Sequence, residues 1–151
     1  MDALERSSTL DSTFVLSHSA TIENSGWWAT PTIDLDRIRR LAWTYKDRLH
    51  ETDRRLLQIR LGSRWPEPTP WDVEIADREV LVRVLPESPL AWLYLGDAYF
   101  HGGGLAGVRD HAERARAAFE EAVRRDSLFA APLEHLARLA DISGDTAAPA
   151  M

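Results

Sequence analysis

Within the stretch from Pro89 to Asp141, Trp92, Leu95, Gly96 and Tyr99 fall at i, i+3, i+4 and i+7. On an α-helix these four positions share one face. Two large aromatics then flank a position with no side chain, a gap that lets a second helix cross at close range. A suitable second helix follows, since Ala115, Ala118, Phe119 and Ala122 form a face of small residues around one large ring. The spacing therefore predicts two helices packed closely as an antiparallel hairpin.

The same grammar runs through the rest of the chain. Gly and Pro punctuate it at Gly26, Pro31, Gly62, Pro66 to Pro70, Pro86, Pro89, the run Gly102-Gly103-Gly104, Gly107, Pro132 and Gly144, with helical periodicity between them and no convincing period-two alternation. Ile38, Leu41, Ala42, Tyr45 and Leu49 mark one face of a helix from about Ile33 to His50, and Val73, Ala76, Val80, Leu81 and Val84 mark another. Thr69-Pro70 and Ser88-Pro89 each place a hydroxyl at an N-cap and a proline at the first helical position, and Asp72 is near a capping-box position. Gly26, Gly62 and Gly144 follow periodic stretches, as C-terminal stops do. The reading is all-α, with seven helices near residues 13–24, 33–49, 53–61, 71–84, 89–101, 107–125 and 128–141.

Trp92-Leu93-Tyr94-Leu95-Gly96-Asp97-Ala98-Tyr99 fits W-x2-L-G-x2-Y, and Ala115-x3-Phe119-x2-Ala122 follows it. Together they resemble the tetratricopeptide repeat. About one 34-residue period after the first motif, Leu133, Leu136, Ala137 and Ala140 recur as core positions of a next first helix. Asp126-Ser127-Leu128-Phe129 also echoes Asp11-Ser12-Thr13-Phe14, as if both led into a repeat unit. The departures are Ser127 where the family often has Pro, a longer Gly-rich turn between the two helices, and His18 and Thr21 where the first hairpin would carry Trp and Leu. The resemblance implies a short right-handed solenoid of three helical hairpins over residues 13–145, closed by a C-terminal helix, with a loose segment at 1–12 and a disordered tail at 146–151.

Composition narrows the function. There is no Cys, hence no disulfide framework or thiolate site, which suits the reducing cytoplasm. Residues 1–6 lack the basic start of a signal peptide, and no stretch approaches the roughly 20 apolar residues of a membrane span. With 18 basic and 24 acidic residues the net charge is −6, which disfavours nucleic acid as a partner.

Residues that could carry chemistry have a structural explanation close by. Gly102-Gly103-Gly104 lacks the preceding strand and the Lys-Ser/Thr pair of a phosphate-binding loop, and reads as a turn. His101, Asp110, His111 and Glu113 flank that turn but match no metal-ligand spacing, and no nucleophile has a recognisable context beside them. Arginines 109, 114, 116, 124 and 125 make the sixth helix look basic, but Asp110–Arg114, Glu120–Arg124 and Glu121–Arg125 are i, i+4 pairs that suit a solvated mixed-charge face. Trp65-Pro66-Glu67-Pro68-Thr69-Pro70-Trp71 has the form of a polyproline II ligand and also of a stiff connection with its tryptophans folded inward; the second reading is preferred, and Trp27-Trp28 reads as a cap over the first hairpin.

The expectation is thus a binding protein without catalytic residues, metal or cofactor. The resemblance implies a protein or peptide ligand held on the concave face lined by first helices of repeats. The residues expected there are Leu93, Asp97, Phe100 and His101, with Glu134 and Arg138 by register. In wording the segment is similar to repeat tails on some bacterial serine/threonine kinases, adenylate cyclases and transcriptional regulators, so the alternative is a regulatory module detached from a signalling enzyme. A monomer or weak homodimer is expected.

Overall fold

A computed structural model of the chain describes residues 3, 6, 7, 10–25 and 33–143. The expected stops at Gly26 and Gly144, the Trp27-Trp28 cap and the tail from Thr146 lie outside these residues. Among the described residues there are seven α-helices and no strand: α1 (Val15–Ser25), α2 (Leu35–Tyr45), α3 (Glu51–Leu61), α4 (Trp71–Val84), α5 (Pro89–Gly102), α6 (His111–Arg125) and α7 (Ala130–Ser143). None is long and apolar enough to cross a membrane. The chain divides into two compact units, residues 1–66 and 67–151, a finer division than the single span expected over 13–145.

In the first unit α1 packs on α2, and Val15, Ile22, Ile38, Ala42, Leu49 and Leu57 form the core. Where a helix to His50 is expected, α2 gives way at Lys46 to one 3₁₀ turn, Lys46–Arg48, and Leu49 is extended at φ −78°, ψ 151°. Leu49 nevertheless stays in the core at 7% exposure, so the apolar stripe is kept while the helix ends. Ahead of α1, the Asp11 carboxylate accepts the Thr13 N–H at 2.8 Å. Buried His18 is held by its Nε2 at 2.9 Å from the Ser12 carbonyl.

In the second unit each helix packs mainly on the next in sequence, and α5 also meets α7. Ser88 caps α5, its Oγ accepting the Ala91 N–H at 3.3 Å, with Pro89 in the first turn. The N-cap of α4 is Pro70, one residue later than expected, with no side-chain cap bond. Helix α5 is enclosed: Ala91, Leu93, Tyr94, Leu95, Gly96, Ala98 and Tyr99 are all buried. At Gly96 a Cβ would stand 2.4 Å from Phe119 Cε1, so the missing side chain is what admits the α6 ring. At Gly102 a Cβ would fall 2.1 Å from the Trp71 ring, which places the start of α4 against the end of α5. Trp92 is half-buried, donates from Nε1 to the Pro86 carbonyl at 2.8 Å, and has the Arg125 guanidinium 4.8 Å over its ring.

The Gly-rich turn delays α6 to His111, four residues later than expected. Val108 N–H reaches the Gly103 carbonyl at 2.9 Å, and Gly107 supplies the positive φ, 76°. Before α7, Asp126 accepts the Leu128 N–H at 3.0 Å, the bond that Asp11 makes ahead of α1. The buried face of α7 is Ala131, Pro132, His135 and Leu139. The expected stripe is only partly inward: Leu136 and Ala140 are half-buried, while Leu133 and Ala137 are exposed.

Candidate functional site

Asp97 and His101 stand one turn apart on α5, and Glu134, His135 and Arg138 stand together on α7. Where these two helices meet, five of the six residues expected to bind a partner come together. Phe100 touches the His101 ring edge-on at 4.9 Å between centroids and the His135 ring at 5.3 Å. Asp97 Oδ1 lies 3.2 Å from His135 Nε2, and His101 feels the charges of Asp97 and Arg138. Arg138 bonds Glu134 at 2.6 Å. The exception is Leu93, which at 4% exposure belongs to the core: α5 is covered by α4, α6 and α7, leaving too narrow an open arc to include it.

Burial holds the surface in shape. Phe100 is half-buried against Phe119, ring centroids 6.4 Å apart, so it is both an aromatic contact and part of the packing. His135, 6% exposed, lies over Phe119 at 4.7 Å with planes tilted by 30°. Its Nδ1 is 3.1 Å from the Ala131 carbonyl, which can only accept, so Nδ1 carries the proton. Nε2 is left facing Asp97 either as a lone pair or, in the imidazolium, as a second donor. Partial burial lowers the pKa of His101 below its ordinary value; Asp97 opposes this, and His135 and Arg138 reinforce it.

His135 is the residue that reading the sequence missed. Its signal was a histidine one position off the predicted apolar stripe of α7, together with the one-turn Asp97-x3-His101 spacing on α5. The other histidine cluster does not form. Asp110 is engaged by Arg114 at 2.9 Å, and the His111 ring packs over the glycine turn, where a Gly103 Cβ would meet its Cβ at 2.3 Å. Among the described residues the three ligand types that converge are Asp97, His101 and His135.

On α6, Arg114 and Arg125 pair with Asp110 and Glu121 as expected, while Arg124 turns to Glu121 instead of Glu120. In the proline-rich connection Trp71 folds onto α5, whereas Pro66, Pro68 and Pro70 are exposed. Compared with known proteins, the chain matches no family model, and no curated protein or solved structure matches it significantly.

Proposed function

We infer that the chain is a protein- or peptide-binding scaffold of tetratricopeptide-like hairpins stacked as a short solenoid, and not an enzyme. The observation that carries this reading is the convergence of Asp97, Phe100, His101, Glu134 and Arg138 on one surface across α5 and α7. That surface has an aromatic seated in the packing and charged groups of both signs around it. Interfaces concentrate their energy on such an anchor within a polar rim. The exposed ion pair Glu134–Arg138 contributes little to stability, about 0.5 kcal/mol or less. It is therefore free to exchange its partner for a ligand's charge. The working state is a cytoplasmic monomer or weak homodimer.

The test is capture of a binding partner from the host by the intact chain and by the triple variant His101→Ala, Glu134→Ala, Arg138→Ala. These three side chains are exposed, so the fold survives their loss. A partner retained by wild type and lost by the triple variant supports the reading. A partner retained by the triple variant but lost on Trp65→Ala or Pro68→Ala overturns it and moves the binding site to the proline-rich connection.

A further inference from the structure

We propose that Asp97, His101 and His135 form a three-ligand site for a divalent first-row transition ion, zinc foremost, with its remaining position open to solvent at the α5/α7 surface. One ligand atom from each residue lies within 4.8 Å of the other two. In a tetrahedral site with bonds of about 2.0–2.1 Å, ligand atoms are about 3.3 Å apart. Asp97 Oδ1 and His135 Nε2, at 3.2 Å, already have that separation. Only His101 must close in, and it is exposed and so able to turn, one helical turn from Asp97.

The chemistry of the three groups agrees with the geometry. Two imidazoles and one carboxylate suit zinc and its first-row neighbours, whereas calcium and magnesium take oxygen ligands. The His135 Nδ1–H is directed to the Ala131 carbonyl at 3.1 Å. This is how a ligating histidine is commonly oriented, and it fixes the tautomer whose Nε2 lone pair points to the ion. Phe100 and Phe119 hold the His135 ring from its edge and face, so that arm of the site needs no reorganisation. The two histidine rings stand at 88°, at a centroid distance of 5.8 Å, presenting their nitrogens from different directions. The inference does not depend on any binding partner.

The alternative is a plain ion pair between protonated His135 and Asp97, in which His101 takes no part. The two are separated by titrating the chelator-stripped full chain with Zn²⁺ by calorimetry and with Co²⁺ by visible absorption, at neutral pH and with no other protein present. The site predicts one ion per chain, with the intense ligand-field bands of four-coordinate cobalt. Asp97→Asn and His101→Ala each weaken affinity by at least about tenfold, the lower end of what losing even a group that orients a ligand costs. Both variants keep the wild-type circular dichroism spectrum, and His111→Ala leaves affinity unchanged. Absence of saturable binding, or a folded His101→Ala chain that binds as wild type does, overturns the proposal.

Discussion

At Gly96 the Phe119 ring fills the volume that any side chain would need, with Cε1, Cδ1 and Cζ within 2.4, 2.5 and 2.9 Å of the Cβ position. Alanine there would gain about 1 kcal/mol of helix propensity and lose about 1–3 kcal/mol to overpacking against a ring with no room to retreat. Phe119 is fully buried, so the second term wins. Gly96→Ala should lower the melting temperature by several degrees, on a scale of about 4–8 °C per kcal/mol for a unit of this size. Gly104→Ala should change stability by less than about 0.5 kcal/mol, because its nearest contact, His111 Nε2 at 3.4 Å, is ordinary. Equal melts for the two variants would contradict the close crossing. The crossing was legible in the sequence because a glycine between aromatics has few other uses. Burial of Leu93 was not, because it depends on α4 and α7 as well as on α5's own stripe. At His101 the folded pKa is depressed, so its contribution to stability is complete above the ordinary histidine value near 6.5 and is lost as pH falls through the lower, folded value. With metal removed, melting temperature should decline from neutral pH toward pH 5, and His101→Asn should flatten part of that decline. An unaltered pH profile in the variant would show that His101 is not desolvated in the fold.

Helix α5 is buried on nearly every side, whereas Val80 and Val84 leave one face of α4 open to solvent, and Leu133 and Ile142 are exposed on α7. Amides of α5 should therefore exchange last in native-state hydrogen exchange, and those of α4 and α7 earlier. Faster exchange in α5 than in α4 would mean that the central helix is misassigned. The start of α5 is tied to the end of α6 through one residue: Arg125 lies over Trp92, bonds the Pro86 carbonyl that Trp92 also uses, and pairs with Glu121. Its side chain is only 14% exposed. Arg125→Ala should cost about 1–2 kcal/mol in a urea titration, well above an exposed ion pair. A change within error would show that these Arg125 contacts add nothing measurable to stability. At this scale the sequence foretold most boundaries from local signals, such as Ser88-Pro89 and Gly62. It also held the Asp11 and Asp126 echo, since both carboxylates make the same two-residue-ahead bond before a helix. What it hid were features set by tertiary contacts: the break after Tyr45, which keeps Leu49 inward, and the rotation of α7 that buries His135.

Residues 67–151 contain the crossing, the proposed binding face and the proposed metal ligands within one compact unit. The unit has its own core of Leu81, Leu95, Tyr99, Phe119 and Leu139. Expressed alone from Glu67 to Ser143, it should keep a helical circular dichroism spectrum and the sensitivity to Gly96→Ala; a random-coil spectrum would show that this core is insufficient. The shared surface of α5 and α7 joins residues more than 30 positions apart in the chain, so only the packing of the second unit could reveal it. Whether that surface is where a partner sits is read most directly by hydroxyl-radical footprinting of the intact chain, free and in complex with a partner it captures. The account predicts that oxidation of Phe100 and His101 falls on binding while that of Trp65 is unchanged. Protection of Trp65 with Phe100 and His101 as reactive as in the free chain would contradict it.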